Sequence, residues 1–204
     1  MDRLIEGFHR FKAKAWADHR ATFERLAKVG QAPRTMVIAC SDSRVDPQLI
    51  FDAGPGEIFT VRNVANLVPP YQPSGNYHGT SAALEFGVRG LHIEDIVVLG
   101  HAQCGGISAL LNNEKAGGTD FIDLWMEIAA PARDRALAAA DGRREAAQAL
   151  CEHECVRLSL ANLLTFPWLK ARVEGGDLRL HGAYFGVASG ALLWLDQTGA
   201  FKPV

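Results

Sequence analysis

Cys40, Asp42 and Arg44 alternate along the stretch TMVIACSDSRVDP, and His101 and Cys104 stand three apart in GHAQCGG. Two thiols and an imidazole form a soft donor set suited to zinc. Three protein ligands leave a tetrahedral site one position short. Catalytic zinc takes that form, whereas structural sites close with a fourth Cys or His. An arginine two residues from an aspartate can grip the carboxylate with its planar fork, orienting it and keeping it ionised. Beside an open metal position, such a carboxylate accepts a hydrogen bond from bound water and aims its lone pair. The competing reading is a core cysteine, a polar turn after a strand and a histidine satisfied by backbone. For any one residue alone that reading wins; for the set, the metal does.

These side chains are far apart in sequence, so the fold must bring them together. The apolar runs Met36–Ala39 and Ile96–Leu99 read as strands, with Cys40 and His101 just past their ends. In an open parallel sheet the carboxyl ends of strands line one crevice, where the two residues meet. Cys104 then shares the turn of His101. Another strand is expected at Glu57–Arg62, after the turn signal AGPGE. Helical spacing runs from Leu4 to Val29 and stops at Gly30, and Pro33 breaks the chain before the first strand. Val68–Thr80, rich in Pro and Gly, reads as a loop near or over the site. Thr80 or Ser81 is placed to cap a helix SAALEFGVRGL, and Gly105 to open another. From Asp120 to Val173 the periodicity is helical, broken near Pro131, Gly142 and Pro167. LRLHGAYFGVASGALLWLD alternates around Ser189–Gly190, as a hairpin or bent edge strand does. Strands alternating with helices predict an α/β fold: a central, mostly parallel sheet, flanking helices, an N-terminal helical arm (1–30) and a C-terminal antiparallel edge, as a single domain over 1–204.

The 204 residues suffice for one core, with 48% hydrophobic and 22% charged residues. A net charge of −2 provides no basic field for nucleic acid or anionic membrane. No apolar run approaches the roughly 20 residues of a membrane span, and MDRLIEGFHRFKAKAW lacks a secretory h-region. A cytoplasmic location is the expectation. The four cysteines, Cys40, Cys104, Cys151 and Cys155, do not form the pattern of a secreted disulfide scaffold.

CSDSR at Cys40–Arg44, RNVAN at Arg62–Asn66 and GHAQCGG at Gly100–Gly106 resemble the β-class carbonic anhydrases in order and spacing. The similarity is strongest from Gln31 to Ile107 and continues more loosely through LSLANLLTFPWL and LHGAYF. It implies a zinc enzyme that hydrates carbon dioxide reversibly to bicarbonate and a proton. By motif position, Cys40, His101 and Cys104 bind one zinc ion, and Asp42 with Arg44 forms the catalytic dyad that orients the zinc-bound hydroxide. The resemblance further implies that Gln31 donates to a substrate oxygen, that Phe59 and Val64 form apolar pocket walls and that Phe86 is contributed across a dimer interface. The Gly105 N–H would help hold bicarbonate. A pocket built across two chains implies a homodimer, or a tetramer of such pairs.

Two thiolates neutralise zinc more than three imidazoles do, so activity is expected to rise toward alkaline pH. Some relatives close at low pH by moving the Asp onto zinc, helped by bicarbonate at a second site made of Trp, Arg and Tyr. Here Val37 and Phe185 replace the Trp and Tyr and only Arg62 remains, so an open zinc without bicarbonate-driven closure is expected.

Cys151 and Cys155, one helical turn apart in CEHEC, read as core thiols; His153 points off their shared face. His78 and His92 are of the residue type that relays protons but read as surface residues. Trp125, Trp168 and Trp194 read as core or interface. The competing functions are hydrolysis of carbonyl sulfide or carbon disulfide on the same scaffold, and a non-catalytic zinc-binding or redox-sensing module. The dyad and Gln31 speak against the latter.

Overall fold

The run Thr35–Cys40 (β1) is buried on both faces, as a central parallel strand must be. In the computed structural model, all residues are described except Asn76, 113–119 and Gly142, together with the side chains of Arg144 and Glu145. Strand β1 lies between Ile58–Asn63 (β2) and Asp95–His101 (β3), parallel to both. Arg179–Phe185 (β4) continues the parallel array beside β3, and Leu192–Leu195 (β5) and Phe201–Pro203 (β6) add antiparallel strands. The order is β2-β1-β3-β4-β5-β6.

Pleating sends alternate side chains to opposite faces. Met36, Ile38, Ile96 and Val98 join a core with Leu84, Val156, Leu163, Phe166 and Leu169. Val37, Ala39, Val97 and Leu99 face the other way, among Val45, Phe51, Leu192 and Trp194.

The predicted helix 4–29 is two helices, Asp2–Ala13 (α1) and Ala15–Val29 (α2), broken at Lys14. No Gly or Pro marks that break. Neither helix has a buried residue, and Gly30, at φ +81°, ends the second. After β1 comes the short Pro47–Ile50 (α3), whose N-terminus Asp46 caps by accepting from the Gln48 N–H at 2.9 Å. The expected cap at Thr80 or Ser81 is corrected: Gly79–Glu85 (α4) starts earlier, at His78, without a side-chain cap. It ends in a π-helical turn, Phe86–Gly90. The loop before it leans on later helices at Tyr71, and at Thr80 accepts from Asn63 Nδ2 at 3.2 Å, beside Cys40. Tyr71 N–H donates to Thr165 Oγ1 at 2.8 Å, and its ring meets Phe166 at 5.3 Å.

Gly105–Leu111 (α5) follows β3, then Ile122–Glu127 (α6), Ala130–Ala140 (α7), Arg144–Leu163 (α8) and Pro167–Glu174 (α9). Pro131 and Pro167 sit in first turns, where a missing N–H is harmless. The expected break at Gly142 lies outside the described residues. LRLHGAYF proves to be an interior parallel strand; the hairpin through Ser189–Gly190 leads to the antiparallel edge, whose last strand, β6, had no distinct alternating signal. Helix α8 settles closely on the sheet because Gly100 has no side chain: a Cβ there would lie 2.6 Å from Val156 Cγ2.

Candidate metal centre

Strands β1 and β3 end within one residue of each other in register, on Cys40 and His101, and Cys104 stands just before α5. The ligand atoms of the three residues lie within 4.8 Å of one another, and all three residues are buried. His101 Nδ1 meets the Ala102 carbonyl at 2.9 Å, so the proton belongs on Nδ1. Nε2 is then a bare lone pair, buried and without a partner. Cys104 is the N-cap of α5, without a side-chain cap hydrogen bond, so its sulfur stays free for another partner. Ala65, packed in one cluster with Cys40 and Cys104, is a non-glycine residue at φ +63°, a strained conformation beside the ligands.

Hydrogen bonding from Cys104 draws the Cys40 thiol down to about 4, while Cys104, the donor, is pushed up and burial raises it further. Two sulfurs thus share one negative charge beside a bare imidazole nitrogen. A soft divalent cation placed there ionises both and takes the orphaned lone pair, so the residues fit zinc.

Asp42 stands at the rim. Its Oδ1 accepts from Arg44 Nε at 2.9 Å and its Oδ2 from Arg44 Nη2 at 2.7 Å. The guanidinium hydrogen bonds hold its carboxyl well below the usual carboxylate range. Arg44 Nη2 also donates to the Gln103 carbonyl at 3.0 Å, tying the Asp42 loop to the His101–Cys104 turn.

Arg62 plays a part that its sequence position did not announce. Its Nε donates to the Cys40 carbonyl at 3.0 Å, and its Nη2 to the carbonyls of Asp42 and Val45, both at 2.7 Å. One side chain therefore holds the backbone of the whole Cys40–Val45 loop. Val37 and Phe185 lie in one apolar cluster.

The predicted pocket residues divide into two groups. Val64 and Gly105 lie by the three ligands: Val64 packs in the cluster of Cys40 and Cys104, its carbonyl accepts from Trp125 Nε1 at 2.8 Å, and Gly105 faces open space. Gln31 and Phe59 instead line a cavity of about 540 Å³ with Asp46, Thr60 and Arg62, and Phe86 meets Phe59 at 5.9 Å. Phe59 pairs with Met36, four residues before Cys40, about 13 Å along the strand. Within one chain Gln31, Phe59 and Phe86 therefore do not join the three ligands. Cys151 and Cys155 are buried core thiols behind Cys104, as expected. Reading the sequence also missed Glu152, whose carboxylate contacts the Cys104 backbone.

A Cys2His donor set at the carboxyl ends of parallel strands, with an arginine-locked aspartate at its open side, defines a catalytic type of zinc site on an α/β sheet. The chain belongs to the β-class carbonic anhydrase family, and the profile described as "Carbonic anhydrase" matches residues 35–192. It is 42% identical over 186 residues to chloroplastic β-carbonic anhydrase 5 of Arabidopsis thaliana, covering 90% of this chain and 61% of that protein's length. Its structure is similar to that of the β-carbonic anhydrase CcaA, with a TM-score of 0.93, 34% identity, and coverage of 100% of this chain and 92% of the other. It also resembles the tetrameric β-carbonic anhydrases of Sordaria macrospora, with a TM-score of 0.80, 27% identity, and coverage of 97% and 98%. Among the described residues no helix is long and apolar enough to cross a membrane.

Proposed function

We propose that this chain hydrates carbon dioxide reversibly to bicarbonate and a proton, with zinc held by Cys40, His101 and Cys104. The observation that carries the proposal is Asp42 locked by Arg44 at the open side of the three ligands, 4.0 Å from His101 Nε2. Storage of a cation needs no oriented carboxylate. Zinc in a three-ligand site supplies the acidity that makes water a nucleophile near neutral pH.

The remaining work falls to the chain. Asp42, ionised and unable to rotate, accepts a hydrogen bond from the reacting water and turns its lone pair toward the substrate. Val64 offers carbon dioxide an apolar wall. The Gly105 N–H, at the start of α5, donates to a product oxygen. Gln31, Phe59 and Phe86, being remote in their own chain, serve the site of a second copy, so the working unit is at least a homodimer. The intact Asp42–Arg44 pair supports an open site, and an Arg62 engaged on three carbonyls with apolar Val37 and Phe185 supports the absence of bicarbonate-driven closure. A cytoplasmic location belongs to this reading and is supported by four free cysteines.

Zinc content together with a carbon dioxide hydration assay tests the proposal. One zinc per chain and activity rising toward alkaline pH are expected, with Asp42→Ala keeping the metal and losing the rate. A zinc-loaded Asp42→Ala chain with full activity would overturn the dyad; sigmoidal inhibition by bicarbonate would overturn the open site.

A further inference from the structure

Glu152 is a carboxylate buried in the middle of α8, only 2% exposed, and the reaction as described does not use it. Its Oε1 accepts from the backbone N–H of Cys104 at 3.0 Å and from Gln148 Nε2 at 2.5 Å. Its Oε2 accepts from the Tyr184 hydroxyl at 2.6 Å. Gln148 Nε2 also reaches the Cys104 carbonyl at 3.2 Å. One turn of α8 therefore engages both the N–H and the C=O of Cys104, and Tyr184 on β4 locks the assembly from the opposite side. Burial, reinforced by the Glu152 hydrogen bond, raises the Tyr184 phenol, so it remains a donor.

All three donors to Glu152 are neutral. A buried carboxylate held only by neutral donors is costly to keep, and an apolar side chain would fill the same volume at less expense. The charge has a use if a cation lies on the far side of Cys104. We propose that Glu152 is a positioning residue for the zinc centre: it fixes the Cys104 backbone from behind so that Sγ keeps its direction, and its negative charge strengthens the site's hold on the cation. This rests on the zinc reading given above. Outer partners of metal ligands act in this way when they orient a ligand and raise its basicity. Here the partner grips a thiolate ligand's peptide rather than a histidine ring.

Glu152→Gln in the full chain removes the charge and keeps the shape. The amide oxygen can still accept from Cys104 and Gln148, and the amide nitrogen can donate to a rotated Tyr184 hydroxyl. Zinc affinity is measured by competition with a chromophoric chelator, and the geometry at sulfur by the thiolate-to-metal absorption of the cobalt(II)-loaded chain. Expected are zinc binding weakened about 10- to 100-fold and a shifted absorption band, with the thermal midpoint showing the variant folded. Tyr184→Phe, which removes one donor and leaves Cys104 untouched, should move both readouts the same way by less. It also decides the matter if Glu152→Gln does not fold. Wild-type zinc affinity and an unchanged band in the folded variant overturn the assignment. A wild-type chain that takes up no zinc refutes the zinc reading instead.

Discussion

Asp42 Oδ2 stands 4.0 Å from His101 Nε2, close enough to reach whatever the imidazole holds, yet Arg44 grips both carboxylate oxygens and keeps them from swinging closer. The reach and the restraint come from residues two apart, so the pair works as one unit. Replacing Arg44 by Lys keeps a positive charge and loses the fork, along with the contact to Gln103. Asp42 would remain ionised but become free to swing. Stopped-flow hydration assays on Arg44→Lys should show kcat/KM down about 10²-fold, with zinc content unchanged by atomic absorption. A rate within a factor of about two of wild type would mean that orientation of Asp42 does not matter.

Arg62 offers a separate test, because its hydrogen bonds all go to backbone, with Asp46 4.0 Å away as its one ion-pair partner among the described residues. Removing it in Arg62→Ala frees three carbonyls, two of them in contacts that are partly buried. Losing several such bonds should lower stability by about 1–3 kcal/mol, read as a drop in urea midpoint at constant slope. Cys40 ends a strand paired on both sides, so zinc should be retained while kcat falls, because the loop carrying Asp42 slackens.

The metal site was legible because its evidence is local. A strand rich in Val and Ile that ends on cysteine, and another that ends on Gly-His, announce both the element and the ligand it carries. Cys104 followed from the short spacing alone. What remained hidden depends on contacts between distant segments. Glu152 is an ordinary helix residue until α8 lies across β3, 48 positions from Cys104. Ala65 gives no sign in sequence of its left-handed backbone, since alanine has no preference for it. Phe59 matched its family position, yet only the strand register shows how far it lies from Cys40 in the same chain, and Gln31 lines the same cavity as Phe59.

That separation makes a mixing experiment decisive. A chain with Asp42→Asn keeps its Gln31 and Phe59, and a chain with Gln31→Ala and Phe59→Ala keeps its dyad. If one copy completes the site of another, each homodimer is inactive, while a heterodimer holds one intact site. Random re-pairing should then restore about a quarter of the wild-type sites. No recovery on mixing, with heterodimers verified by mass, would place Gln31 and Phe59 in the service of their own chain.

His153 gives the fold an acid liability. Its ring lies 4.3 Å from both Tyr184 and Phe201, and its Nε2 is buried without a partner. Burial, aided by the Arg157 charge and opposed by Glu154, draws it down to about 4, against about 6.5 in an unfolded chain. Between those values the unfolded chain takes up a proton that the folded chain refuses, so stability present above pH 6.5 declines as the pH falls toward 4. His153→Phe keeps the stacking and removes the proton. Urea unfolding at pH 7 and pH 5 should show a smaller loss for the variant, by about 1 kcal/mol after allowance for solvent screening. Equal losses would show that His153 protonates freely in the folded state.

Gly100 links the stability of the sheet to the hold on the metal. It precedes His101, and the space where its side chain would stand is taken by Val156 of α8, whose Cγ2 would lie 2.6 Å from an added Cβ. Val156 is fully buried and β-branched, so it has few ways to yield. Gly100→Ala must therefore push α8 outward, at about 1–3 kcal/mol, seen as a thermal midpoint lower by several degrees. Glu152 lies one turn before Val156 on that helix and would retreat from the Cys104 N–H, so zinc should dissociate faster as well. Trimming the obstacle separates the two effects. In Gly100→Ala with Val156→Ala the helix can return, and the double variant should release zinc more slowly than Gly100→Ala alone, although it has lost two buried methyls. That outcome is non-additive in the sense expected of residues sharing one contact. If the two substitutions simply add, in both midpoint and zinc release, the approach of α8 does not set the position of the cysteine it grips.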